Sequence, residues 1–468
     1  MSILNNALSG ALASQLALSS TSQNIANLQT KGYTRQAALL SAVGPAIGTN
    51  QAGNGVIVSS LIRFSDDYKT QQLWRAASDV GTHSQSQPYL TQLEKVMGDD
   101  QTSLSDGIDK FFAALNAVAG VDPTSTPLRQ EVVTMAGLLS QRFNSLNNVY
   151  TAQLQSVSQQ RVAIVDSANS AIAAIATLNT QIASAHALGT NVSALIDQRD
   201  QAIDSLSSLV GLEVNDQPDG TRNVSLKTGQ ALVLGGVAGK LEVAGKVLAP
   251  PADPETLDPQ SFNLTFAGTT FNNIDVSRSG GQLGGLTSYL KDVLLPRRTN
   301  VGEMASHIAT KVNDQLALGR TMDNQPGKPL FVIGAVGSSN MLQVASGYQT
   351  ADLAFSSNAE PGDTGNLQKL VDLKNQPVTL TGIGSPLLSD ADTQLVGDLA
   401  VKSQTNKGAL STAQSLRDQA MADWQSTSGV NQDEEAVNLV EYQNMYQANM
   451  KVMSVANALF DATLAMMA

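Results

Sequence analysis

The sequence predicts a mainly α fold with inserted β: paired terminal helices forming a coiled coil, a rod of long helices, and a small antiparallel β domain. Three observations carry this reading. Apolar residues recur every seven positions at both chain ends. The stretch from Pro127 to Leu188 holds no second proline and a single glycine, Gly137. At Gly211 the apolar period changes from 3.6 to 2.

From Ile3 to Leu28 the residues Leu4, Ala11, Leu18 and Ile25 lie seven apart, and Leu8, Leu12 and Leu16 fill the adjacent row. The opposite face is Ser, Asn and Gln, so this is an amphipathic helix. It is expected to stop between Asn27 and Lys31, where Gly32 supplies a turn. The spacing of Asn24, Asn27, Gly32 and Tyr33 suggests a helix end and a tight turn, with Gly32 at positive φ. Asn54-Gly55-Val56-Ile57-Val58 reads as a turn into a strand. Helix resumes near Asp66, is interrupted near Gly98, and returns over 103–119. After the loop Val121–Ser125, Thr126 is a candidate N-cap with Pro127 at the first helical position, where its missing N–H costs nothing. The proline-free run that follows would span roughly 90 Å as one helix, at 1.5 Å per residue. A shorter helix, about Ser193 to Leu209, is expected to pack back on it.

Beyond Gly211, Leu212 and Val214, the turn Pro218-Asp219-Gly220, Val224 and Leu226, the turn at Gly229, and Leu232 and Leu234 predict short antiparallel strands. Prolines 250, 251, 254 and 259 mark a loop before the strand Phe262–Phe266. Helix returns from Gly285 to about Leu318, with a break or kink near Pro296. The segment 320–388 is rich in Gly and Pro, with strands near Phe331–Ile333 and Leu342–Val344 and a short helix near 364–374. Asn431 can cap the last helix, with Glu434 as the reciprocal partner of a capping box. Along that helix Leu439, Tyr446, Met453 and Phe460 are spaced by seven, and Met450 and Leu464 extend the same face. The expected organisation is therefore a terminal inner domain (1–30 with 437–468), a helical rod domain (31–211 with 279–319 and 389–436), an inserted β domain (212–278) and a small mixed region (320–388).

Composition removes most chemistry. The chain has no cysteine, which excludes disulfides, thiolate metal sites and a cysteine nucleophile. His83, His186 and His307 stand alone, without a second ligand at helical or hairpin spacing. Gly235-Gly236-Val237-Ala238-Gly239-Lys240 is one residue short of a phosphate loop, and Leu241 stands where a hydroxyl must meet magnesium. Asn215 to Gly220 begins like a calcium loop, but its twelfth position is Leu226. The carboxylates Asp433, Glu434 and Glu435 sit in a first helical turn, where they complement the helix dipole. No Gly-x-Ser-x-Gly elbow is present. No catalytic residue, cofactor or metal is therefore expected. A formal charge of −12 speaks against nucleic acid and anionic membrane as partners. Residues 2–30 are too polar to span a bilayer, and no basic residue precedes Lys31, so a cleaved Sec-type signal is not expected. What remains is a pair of sticky helical faces. The residues Leu4, Leu8, Ala11, Leu18, Ile25, Leu439, Tyr446, Met450, Met453, Phe460 and Leu464 serve equally as a private seam or as an assembly interface.

The segment from Ser22 to Gln36, containing Asn24, Asn27, Gly32, Tyr33 and Arg35, resembles the signature shared by rod, hook and hook-associated proteins of the bacterial flagellum. Tyr33-Thr34-Arg35-Gln36 narrows the resemblance to the hook-associated protein 1 family. Ser428-Gly429-Val430-Asn431-Gln432-Asp433-Glu434-Glu435-Ala436, Tyr442-Gln443 and Tyr446-Gln447-Ala448-Asn449 are similar to that family's C-terminal motif, with Gln432 in place of a frequent leucine. Leu195–Asp200 and Gly281–Leu286 also resemble it. The resemblance implies a structural protein joining hook to filament, with the β domain facing outward. It implies export by the flagellar type III system without a cleaved signal, to the extracellular hook–filament junction. The partners it implies are further copies of itself in a ring, the hook protein, the second junction protein, and an export chaperone at the C-terminal helix. Two other readings stand beside it: a related hook-type or filament-type subunit, or a helical scaffold displaying a glycan-binding or hydrolytic outer domain.

Overall fold

The structure, a computed structural model, describes residues 2–44, 53–245, 260–334, 340–358, 360 and 362–467. Helix α1 (Ser2–Ala26) runs antiparallel to α11 (Gln432–Met467): Asn24 meets Glu435, and Gly10 lies against Asn449. On that register α11 outruns the start of α1 by roughly three turns. Strands β1 (Gln36–Ala42) and β2 (Val56–Arg63) form an antiparallel hairpin laid across α1. Asn6 Nδ2 donates to Gly53 O (3.0 Å), Val56 N–H donates to Ser9 Oγ (3.2 Å), and Ser20 Oγ donates to Gln36 O (3.0 Å). The sequence pattern predicts a strand in this region only at 56–58. It does not reveal β1, because Ala37-Ala38-Leu39-Leu40 does not alternate polar with apolar.

The body is built on α5 (Thr126–Ala187), a single helix of 62 residues. Its buried face runs through Val132, Leu139, Phe143, Tyr150, Val157, Ile164, Ile172 and Ile182. Thr126 lies inside this helix and Ser125 is the capping position, one residue earlier than expected. On α5 pack α3 (Gln87–Met97), α4 (Leu104–Gly120) and α6 (Ser193–Leu209), and α2 (Asp67–Ser84) and α10 (Leu388–Ser428) pack against each other and on these helices. Asp392 of α10 caps α4 from outside, accepting from Ser105 N–H (2.9 Å) and Ser103 Oγ (3.4 Å). Burial pushes this carboxyl above its ordinary range. After α7 (Gly281–Tyr289) the ladder slips into a π turn over Leu290–Leu294 before α8 (Leu295–Ala317). Pro296, which has no N–H to donate, accounts for the slip at the predicted break.

The β segments make two sheets, β3 (Leu212–Asp216), β4 (Arg222–Leu226), β5 (Ala231–Leu234) and β6 (Val237–Ala238) in one, and β7 (Lys240–Ala244), β8 (Ser261–Phe266) and β9 (Thr269–Phe271) in the other. The loop expected at prolines 250, 251, 254 and 259 lies outside the described residues. Strands β10 (Phe331–Ile333) and β11 (Leu342–Val344) and helix α9 (Gly365–Asp372) complete the mixed region.

Asparagines fasten these strands to the helices. Asn169 bonds both the N–H and the C=O of Leu241 (2.8 Å each). Asn144 accepts from Leu342 N–H (3.1 Å) and donates to Leu342 O (2.9 Å). Asn313 of α8 treats Phe331 the same way (3.0 and 2.7 Å). A carboxamide presents one acceptor beside donors, as a backbone peptide does, and so substitutes for a neighbouring strand. Asn179 makes the fullest set: it accepts from Arg222 N–H (3.1 Å) and donates to Arg222 O and Gly235 O (2.8 Å each), with no exposed surface. Asn179→Ala is expected to cost about 3 kcal/mol, because it strands buried backbone groups. A lowered urea midpoint with an unchanged m-value would register that loss.

The main hydrophobic core runs through the body from Trp74 to Leu399, with a small second cluster of Leu73, Ala76 and Ala420, and neither takes a residue from α1, β1, β2 or α11.

Candidate assembly interface

Charge is segregated along the chain. From Met1 to Ile62 the only charged residues are Lys31 and Arg35, and from Ala436 to Ala468 only Glu441, Lys451 and Asp461. The acidic excess therefore lies in the body. Copies of this protein can meet through the terminal unit of α1, hairpin and α11 with few charges brought together beyond the first turn of α11.

The terminal seam is made of small residues on the α1 side: Ala7, Ala11, Ser14, Ala17, Thr21 and Asn24 are buried there. From α11 it receives Glu435, Leu439, Tyr442, Tyr446, Asn449 and Met453, all buried or half-buried. Ala11, expected with the sticky stripe, is thus enclosed between the helices, since only a small side chain fits where the two backbones approach. Leu18 is half-buried at the seam's edge. Leu4 (36% exposed), Leu8 (44%) and Ile25 (37%) turn outward, as do Met450 (43%), Phe460 (62%) and Leu464 (52%) of α11. Val437, Val440, Met445, Val452, Val455 and Leu459 are exposed as well. Large apolar residues left in water on a helix that already fills its own seam mark a surface for further packing.

The turn after α1 is built by Asn24. Its Oδ1 accepts from Tyr33 Oη (2.9 Å) and Gln36 N–H (3.1 Å), while its Nδ2 donates to Gln36 O (2.8 Å) and Glu435 Oε1 (3.0 Å). Burial, with Asp197 and Glu435 nearby, pushes the Tyr33 phenol up to about 12. Asn27 closes the helix, donating from its Nδ2 to Gln23 O (2.9 Å). Gly32 has φ +75, and a Cβ there would lie 2.5 Å from Gln201 Nε2. Gly32→Val is therefore expected to lose about 1–3 kcal/mol in backbone strain and to impair assembly far more than Gly32→Asn, which tolerates positive φ. Equal complementation of a deletion strain by the two variants would remove the backbone argument.

Arg35 ties the two ends together through Glu434 (2.6 Å), with its guanidinium 4.4 Å from the Phe64 ring centre. Asn431 caps α11, accepting from Asp433 N–H (3.0 Å) and Glu434 N–H (3.4 Å). Glu434 does not return to Asn431 to close a capping box, because its carboxylate is engaged by Arg35. Sequence reasoning missed Glu435, a carboxylate only 2% exposed, and the basic partner of the Leu195–Asp200 motif. That partner is Arg63, bound to Asp197 (2.8 Å) and Asp200 (3.0 Å) of α6, where Asp197 also accepts from Thr34 N–H (3.1 Å). Burial raises the Asp197 carboxyl above its ordinary range despite Arg63. Arg222 adds pairs to Asp200 (2.6 Å) and Asp67 (2.7 Å) from the body side. Beside this polar neck lies a cavity of about 550 Å³, floored by Leu73, Trp74, Met421 and Trp424. Among the described residues no cluster of three His, Asp or Glu is arranged to hold a metal.

A charge-poor helical unit with exposed apolar residues, carried on a helical body through a polar neck, defines a structural subunit made for packing against others. The family model "Flagellar hook-associated protein FlgK helical domain" matches residues 90–331, and "Flagellar basal body rod FlgEFG protein C-terminal" matches residues 424–466. The chain belongs to the flagellar hook-associated protein FlgK family, a family of structural proteins of the flagellum. It is 28% identical to flagellar hook-associated protein 1 of Salmonella typhimurium, over 99% of both chains, and 27% identical to that of Escherichia coli K12, over 98% of this chain and 99% of the relative. The Bacillus subtilis protein of the same name is 27% identical, over 96% of this chain and 95% of its own. The Salmonella alignment extends over 563 positions against 468 residues here, so that relative carries segments this chain lacks. Among solved structures, the flagellar hook junction protein FlgK of Burkholderia pseudomallei shares the fold with a TM-score of 0.65 at 19% identity, covering 76% of this chain and all of that one.

Proposed function

We propose that this protein assembles at the hook tip as a ring that joins hook to filament, acting by geometry rather than catalysis. The observation that carries the reading is the charge-poor terminal unit, which leaves Leu4, Leu8, Met450, Phe460 and Leu464 pointing away from its own seam. In this reading residues 1–30 with 437–468 form the inner layer of a tube. The helical rod (31–211, 279–319, 389–436) forms the next shell, with 212–278 and 320–388 outside. The hook protein lies below and the second junction protein above. The chain reaches the cell exterior through the flagellar type III route, without a cleaved signal; having no cysteine, it forms no disulfide that would hinder threading. An export chaperone holds the C-terminal helix in the cytoplasm. Leu459, Phe460 and Leu464 suit that role, because they lie on the turns of α11 that α1 does not reach.

A strain lacking the protein is expected to build hooks, release flagellin into the medium and grow no filaments, with all three corrected by the intact gene. Filaments on the deletion strain would end the reading. A hook-type or rod-type subunit is the second reading, favoured by the match of 424–466 to the rod protein C-terminal model. Hooks absent from the deletion strain would select it.

A further inference from the structure

The neck between terminal unit and body has the parts of a two-position ratchet. The hydrophobic core stops short of it, so what holds the terminal unit in place there is polar. The chain crosses the neck only twice, at Arg63–Asp66 and at Ser428–Asn431. Asp197, Asp200 and Asp204 lie at i, i+3 and i+7 on one stripe of α6, and Arg63 holds the first two. The third is differently placed. Asp204 binds Arg417 of α10 through Oδ2 (2.8 Å), while its Oδ1 is buried without a hydrogen-bond partner among the described residues. Asp200, Asp204 and Arg63 all line the cavity of about 550 Å³, so the space into which Arg63 would travel is open. Across it stands the 27–32 turn, with Leu28 (36% exposed) on the rim and both tryptophans of the chain on the floor.

The geometry points to a second docked state of the terminal unit, in which Arg63 moves one turn along α6 to bridge Asp200 and Asp204 while the 27–32 turn closes the cavity. A buried arginine leaves its carboxylate only where another is waiting. The ladder supplies one about 5.4 Å away, the pitch of a helix. Thr34 N–H gives up Asp197 in the same movement, and Asp200 remains bound throughout. Packed elements change position in such discrete steps, not continuously. The two positions give one chain two inclinations of its inner helices relative to its body, as a ring facing two different lattices requires. This rests on the junction reading above.

The absence of cysteine makes a direct test simple. Ser60→Cys on β2, the strand that carries Arg63, and Ser415→Cys on α10, both exposed, carry nitroxide labels on the otherwise intact full-length chain. Double electron–electron resonance is expected to give two distance populations. Asp204→Asn, which keeps an acceptor for Arg417, is expected to remove one of them, and Asp197→Asn to enrich that same one. A single distance in the unsubstituted chain, or two that Asp204→Asn leaves unchanged, overturns the ratchet. Because Asp204→Asn is nearly isosteric and keeps the Arg417 contact, it decides between the two outcomes even where Asp197→Asn fails to fold. The junction reading is tested separately, by the deletion strain.

Discussion

Met453→Lys is expected to leave a soluble protein with an intact body that does not build junctions, so that cells carrying it are as non-motile as the deletion strain. Met453 faces α1 from the half-buried side of α11, in the row that also holds Leu439 and Tyr446. An ammonium placed there loses water and finds no partner, since α1 carries no charged residue from Ser2 to Ala26. The penalty is several kcal/mol, roughly that of an unpaired polar group transferred to an apolar site. Repeated around a ring, it bears on every contact the seam supports. The body is spared, because its core takes nothing from α11. Met453→Leu, which keeps volume and polarity, serves as the control and should retain motility. Val455→Lys, on the exposed face of α11, should also block assembly, without placing a charge in the α1–α11 seam. Wild-type swarming by Met453→Lys cells would sink the seam's role in assembly.

How much of the fold is legible in the sequence follows from how its signals are written. α5 is visible because its apolar residues keep one period and proline interrupts it nowhere after Pro127. The strands from Leu212 onward are visible because Gly220 and Gly229, both at positive φ, punctuate them. β1 is hidden, since its partner and its helix, not its own pattern, hold Gln36 to Ala42 extended. The asparagine clamps are hidden for another reason: Asn144, Asn169 and Asn179 look like ordinary helix-surface residues until the strands they mimic are beside them. At the ends, heptad spacing locates the helices but not which stripe faces inward. Side-chain size decides that. The inner seam takes Ala7, Ala11 and Ala17, and the large residues Leu4 and Leu8 are left outside. Arg63 and the α6 carboxylates lie more than a hundred residues apart in sequence, so their pairing becomes visible only in the fold.

That choice of small residues for the seam governs the state of the free monomer. Ordering a residue costs about 1–2 kcal/mol in backbone entropy. Burying a single methyl group returns about 0.8 kcal/mol, so an alanine seam falls short of the cost of ordering the residues that form it. On α1 the large side chains that could close the gap, Leu4 and Leu8, point outward, Leu439, Tyr446 and Met453 of α11 are only half-buried, and the last turns of α11 lack even the α1 seam. The terminal pair should therefore be fully ordered only when neighbouring copies, or an export chaperone, cover its outer faces. This also restrains monomers from polymerising before they reach the hook tip. Amide hydrogen exchange on purified monomer is expected to show residues 2–30 and 437–467 nearly unprotected, with 459–467 exchanging fastest. Residues 127–187 should be protected by a factor on the order of 10³ or more, as core helices are. After assembly the terminal protection should rise to match the body. Strong protection of both ends in a verified monomer would mean that the small-residue seam suffices alone, and the coupling of folding to assembly would have to be abandoned.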